Sequence, residues 1–206
     1  MIMSPRTRKL LLTAHVTTSV GWCGALAVFL AHALVAVMSR EEQIVRAMSI
    51  AMGLTAWLVI MPLSLATLVT GLTQALGTAW GLLRHYWVLF KLLLTAVATV
   101  VLLLKLGPIS MLAEAAGKAT FSSSDLVGLR TSLALHAAAG LVVLLAAVVL
   151  AIYKPAGLVR KGPLASGAIL VLPLWVKFFG TVIAVLILLV GIMMFFGGHG
   201  PGAHAS

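Results

Sequence analysis

Apolar residues run in five long stretches, and the short segments before and between them carry most of the charge. A bilayer core of about 30 Å takes roughly 20 apolar residues to cross as a helix, and each stretch reaches that length. The pattern predicts helices over Leu10–Met38, Ile44–Leu72, Tyr86–Leu106, Asp125–Tyr153 and Ala168–Phe196. Pro62 falls in the middle of the second. It cannot donate to the carbonyl of Leu58, so a kink is expected there, with Ser64 and Thr67 close enough to cover the freed oxygen. Gly107-Pro108 is expected to end the third helix, with a loop from Pro108 to Ser124 behind it. Ser122-Ser123-Ser124-Asp125 reads as a helix N-terminal cap. Gly71–His85 reads as an interfacial turn, and the Gly-rich residues Gly197–Ser206 as a flexible tail.

Composition agrees with this all-α transmembrane bundle. Of 206 residues, 62% are hydrophobic and 9% charged, a balance foreign to soluble domains. No segment is left over for a soluble domain. The first apolar run is preceded by Arg6, Arg8 and Lys9 but far exceeds the ~7–15 residues of a signal core, so it reads as a retained spanning helix. The formal charge of +10 gathers at helix ends, which points to anionic lipid head groups and not to nucleic acid. Lys and Arg are in slight excess on the loops that an inside N-terminus would place inside, and Trp80, Tyr86, Trp87, Tyr153 and Trp175 fall at the same ends. The orientation expected is N-terminus in, C-terminus out. Cys23, the single cysteine, reads as a small apolar residue.

Ionisable residues inside spans point to function by default. His15, His32 and His136 lie within predicted spans, and His85 at the start of the third. His15 and His32 sit about 25 Å apart along one helix. Two same-depth pairs result: His32 with His136, and His15 with His85. Imidazoles on facing helices suit haem iron, and two stacked pairs would carry electrons across the bilayer. Ser132, His136 and Gly140 share one face, which leaves room for a flat ring and equally permits close helix packing. The alternative for all four histidines is structural, a bond to a neighbouring carbonyl or to interfacial water. Arg84, Lys91 and Lys177 could form a cationic cup near His15 for haem propionates, a quinone or a phospholipid head group. Their other reading is interfacial anchoring. Gly53, Trp57, Ser64, Thr67 and Gly71 form a stripe that reads as helix-contact glue. His199 and His204 in the tail make no defined metal site. Phosphate loops, metalloprotease helices and an activated nucleophile are absent. Intramembrane Asp and Glu are also absent, which argues against a proton-coupled pump.

The pattern of His15 followed by Trp22-Cys23-Gly24, with Tyr86-Trp87-Val88-Leu89-Phe90-Lys91, Thr78–Lys91 and Tyr153-Lys154-Pro155, resembles a group of uncharacterised bacterial integral membrane proteins. More distantly the first helix is similar to CopD-type copper-resistance membrane proteins and to haem-binding membrane protoporphyrinogen oxidases. These resemblances imply a helical bundle in a bacterial plasma membrane, and the last implies haem on His15. The chain lacks the Met- or His-rich outer segment that copper delivery would favour.

Three functions follow as expectations. The first is b-type haem binding with transmembrane electron transfer, a haem-dependent oxidoreductase if it is an enzyme at all. The second is a non-enzymatic scaffold or accessory subunit, and the third a small transporter of a lipid or hydrophobic solute. The partners expected are membrane lipids, a second copy or a membrane subunit, with the last helix docking on its own bundle or on a partner.

Overall fold

The computed structural model describes residues 3–77, 85–124 and 126–153, together with 174–177, 180, 181, 184, 185, 188 and 191. The described secondary structure is helical: α1 (Pro5–Met38), α2 (Glu42–Thr55), a π-helical turn (Ala56–Ile60), α3 (Met61–Gly77), α4 (Tyr86–Gly117) and α5 (Val127–Tyr153). The second and third helices and the turn between them form one rod, Glu42–Gly77. Four helical rods are therefore long and apolar enough to cross a membrane. Most of the fifth predicted span, Ala168–Phe196, lies outside the described residues, as do Asp125, Arg84 and the Gly/His tail.

Several boundaries differ from expectation. Helix α1 starts at Pro5, because Ser4 accepts a bond from the Thr7 N–H at 3.2 Å and Pro5 occupies the first turn, where its missing N–H costs nothing. Arg6, Arg8 and Lys9 thus ride on the helix. The second rod runs on to Gly77, past the expected start of the interfacial turn. Gly107-Pro108 does not end α4, which continues to Gly117 with Pro108 inside it. In lipid a helix is the way to satisfy the backbone, so a proline is absorbed where it would end a helix in water. The serine cluster bonds within itself, the Ser124 N–H donating to Ser122 Oγ at 3.4 Å. Leu126 enters α5 with a left-handed φ of 53°.

The kink expected at Pro62 takes the form of the π turn just before it. Proline has no N–H and crowds the carbonyl four residues back, and a wider turn relieves both. Ser64 Oγ donates to the Met61 carbonyl at 2.8 Å, not to Leu58, and Thr67 Oγ1 has no partner.

The rods alternate up and down and pack as a ring. α1 packs on α2–α3 and on α5, and α4 packs on the same two. α1 and α4 therefore face each other across the bundle axis. We call the end holding the start of α1 the lower end. Arg130 meets the Ala36 carbonyl and Gly140 lies against Leu26, so α1 and α5 run antiparallel in a constant register. The core is Trp22, Phe29, Ala33, Ala36, Met52 and their neighbours. Near the lower end Trp175 packs edge-on against Tyr86 and Phe90, with ring centres 6.4 and 6.2 Å apart, and Val176 is buried. Residues 174–177 thus dock on this bundle's own α4.

Two arginines close the upper end. Arg46 donates to the carbonyls of Ala116 (2.9 Å), Lys118 and Phe121, and pairs with Glu42 at 3.1 Å. Arg130, 1% exposed, donates to Ala36 at 3.0 Å and to the Ser123 carbonyl. Both satisfy C-terminal carbonyls of helices, where the helix dipole also favours a cation. Replacing Arg130 by Met strands buried acceptors, so unfolding in mixed micelles should show a loss of about 1–3 kcal/mol. Arg6→Met, at an exposed site, should show none.

Candidate functional site

The bundle interior holds two imidazole sites at different heights. In the lower one, α1 supplies His15, buried at 6% exposure. Its Nδ1 lies 3.0 Å from Thr70 Oγ1 on α3, and its Nε2 lies 2.9 Å from Lys91 Nζ on α4. An ammonium only donates, so Nε2 accepts from Lys91, and the Nδ1–H donates to Thr70. Thr70 in turn donates to the Ala66 carbonyl at 2.6 Å, and Ser19 Oγ donates to the His15 carbonyl at 2.6 Å. Gly71 lets the ring in, since a Cβ there would stand 3.0 Å from His15 Cε1. Gln74 Nε2 donates to the Leu11 carbonyl at 2.7 Å one turn below. Lys91 thus reaches across the axis to α1 instead of turning outward to the interface.

The upper site belongs to α5. His136 is buried at 8% exposure, and its Nδ1–H donates to the Ser132 carbonyl at 2.7 Å. This fixes the tautomer and leaves Nε2 as a bare acceptor, buried and without a partner. His136 lines a cavity of about 90 Å³ between α1, α4 and α5. Trp22, Phe29 and Ile60 give it apolar and aromatic walls, Ala98, Ala137 and Gly140 keep it open, and Lys105 brings a cation.

The other expected site residues fall elsewhere. The α1–α5 register sets His136 level with Leu30, so His32 stands at nearly the same height, but no hydrogen bond joins the two. His32 Nδ1 is itself buried without a partner. His85 precedes the first turn of α4, below the lower site, with its ring 6.4 Å from that of Trp87. His15 is therefore joined to Lys91 and not to His85. Lys177 is exposed, and no hydrogen bond links it to His15. Arg84 lies outside the described residues, so of the proposed cup only Lys91 is seen at His15. Gly53, Ser64, Thr67 and Gly71 do face neighbouring helices, with a Gly53 Cβ only 2.7 Å from Ala113. Trp57 is 47% exposed and donates to Ser110 Oγ at 2.9 Å.

Sequence reasoning missed two residues. Thr70 is one hydroxyl among many in α3, and nothing local marks it. Lys105 sits one residue before the end of the third predicted span, where a cation reads as a helix-end charge. The signal was present, because Lys91 and Lys105 lie about four turns apart on nearly one face of α4.

Among the described residues no group of three His, Cys, Asp or Glu gathers to hold a metal ion. Haem iron needs a free imidazole nitrogen. His15 has none, since both ring nitrogens are engaged. His136 offers one, held by a carbonyl bond in the way metal-ligating histidines are. The cavity beside it is of the order of the ~150 Å³ apolar cavity that admits benzene, and below the ~300–1,000 Å³ of sites for larger ligands. No protein family matches the chain, and no curated protein or solved structure does so either.

Close packing at the lower site has a measurable consequence. Gly→Ala in a helix normally gains about 0.5–1 kcal/mol. Gly24→Ala, with nothing within 4 Å of the new methyl, should show that gain in micelle unfolding. Gly71→Ala must displace the His15 ring and should show a net loss. Equal effects would mean that His15 is not seated against α3.

Proposed function

We propose that this chain is an integral membrane protein that binds the ring of a small lipid-soluble hydroxy compound, of the quinol class, inside the bilayer. The reading rests on the bare Nε2 of His136 beside a small apolar cavity. A quinol hydroxyl donates to that nitrogen, the ring packs against Trp22 and Phe29, and Lys105 supplies a donor for a second ring oxygen. A buried acceptor left unpaired costs ~1–3 kcal/mol, so a ligand that pairs it recovers that amount in addition to apolar burial. The walls would reject ions and polar solutes by leaving them unsatisfied. The role that follows is that of a quinol-binding accessory subunit or carrier, and no redox step is derived.

The topology belongs to the same proposal. We place the N-terminus inside, with a fifth span over Ala168–Phe196 bringing the C-terminus outside. The bacterial plasma membrane follows from the resemblance stated above. Haem remains the competing ligand, since His136 has the right donor for it.

Both ligands can be tested on one detergent-purified preparation. A short-chain benzoquinol titrated against the protein should quench part of the tryptophan fluorescence, through Trp22, and saturate. His136→Phe should weaken binding about tenfold or more, the equivalent of ~1.4 kcal/mol or more, while His15→Phe should leave it unchanged. Non-saturating quenching, equal in wild type and His136→Phe, would remove the proposal. Haem added to the same sample should give no Soret band that depends on His136, and such a band would replace quinol by haem.

A further inference from the structure

The α4 wall of the cavity beside His136 runs from Val97 to Ile109, about 18 Å of helix rise, and its α5 wall from Leu133 to Val143, about 15 Å. A volume of about 90 Å³ over that height makes it a narrow slot. Ala98 packs in one cluster with Val143. About two turns further up each helix stand Lys105 and His136, so the cation and the bare Nε2 share one height. Above them the buried Arg130 closes the bundle by donating to the Ala36 carbonyl at 3.0 Å. Below them the slot continues for about 10–12 Å, down to Val97 and Val143, and no hydroxyl or titratable side chain lines that part.

One side of this lower shaft meets the lipid. Val97 and Val101 on α4 and Ala139 on α5 line it and are half-buried, whereas Trp22 on α1 is buried. Residues three or four apart share a helix face. Val97 and Val101 thus stand beside Val100 and Leu104, and Ala139 beside Leu135 and Val142, all four of which are exposed. The seam between α4 and α5 is therefore open at mid-height, where Ala139 contributes only a methyl. Lower down it is filled, because Leu94, Ala147 and Leu150 are buried there with Trp175 packed against them. The slot has a polar head, an apolar shaft and an exit to the side.

On the quinol reading above, we propose that the ligand is a lipid quinol with a long apolar chain, its ring at His136 and Lys105 and its chain laid down the shaft and out to the bilayer between α4 and α5. A ring hydroxyl donates to His136 Nε2 and a second ring oxygen accepts from Lys105. A carboxylate head would suit Lys105 but brings no hydrogen to the bare Nε2. The chain leaves lipid for walls that are equally apolar, so it gains close packing and little else. The head then decides affinity, and the seam decides which molecules reach it. Such a ligand enters and leaves sideways, without crossing water.

A decyl-benzoquinol carrying a diazirine in mid-chain, photolysed on the protein in bilayer nanodiscs and mapped by peptide mass spectrometry, tests this. Label should concentrate on α4 residues 97–101 and α5 residues 139–143, several-fold above that on the exposed faces of α1 and α3. Excess short-chain benzoquinol should displace it, and His136→Phe should remove it. Ala139→Phe, and independently Val101→Phe, should cut it several-fold by closing the seam. Leu103→Phe, at an exposed site of α4, should not. Each variant is compared only after it elutes as a single species. Label spread evenly over lipid-facing helix surfaces overturns the inference, and so does displaceable label at Ile109 and Leu133. If the short-chain quinol saturates while the label lies elsewhere, the chain placement alone fails. If the short-chain quinol does not bind, the quinol reading fails and the chain placement with it.

Discussion

Lipid offers no hydrogen bond, and the rest of this structure depends on that constraint. Every N–H, C=O and side-chain polar group in a span must find its partner within the protein. The helices are continuous for this reason, even through Pro62 and Pro108. It also explains why most intraspan Ser and Thr hydroxyls bond to a carbonyl one turn back. The upper ends of α1 and α4, whose last carbonyls have no helical donor, are closed by Arg130 and Arg46. Two long cationic side chains from neighbouring helices do there what water does in a soluble protein.

Against that rule the exceptions are informative. Thr67 Oγ1, His32 Nδ1 and His136 Nε2 are buried without partners. Thr67 and His136 lie in the bundle interior, and His136 borders open space. A bundle that satisfied everything would read as a scaffold, and much of this one does, including His15, whose two ring nitrogens are both engaged. The functional reading therefore moves from His15, which the resemblance to haem proteins favoured, to His136. The donor nitrogen there would suit haem iron or a quinol hydroxyl, and the small cavity beside it is the reason a quinol ring is proposed.

Residue types and spacing determined that the chain is helical and built of membrane-length rods, because an apolar run of that length has no other stable use in lipid. They also identified the intraspan histidines and Lys91 as the unusual residues, since ionisable groups in spans are costly. Helix ends were read less well. Gly-Pro and Ser-rich signals are calibrated on chains in water, where a broken helix can be solvated, and α4 runs through Gly107-Pro108 because here it cannot. Pairings were not legible at all. That His15 meets Lys91 instead of His85, that Thr70 orients it, and that His136 borders a cavity with Lys105 all follow from the ring order of the helices and their vertical register. Those are set by packing between surfaces far apart in the chain, such as Gly71 against His15, Gly140 against Leu26 and Gly53 against Ala113. Periodicity along one helix carries no information about which helix stands opposite it.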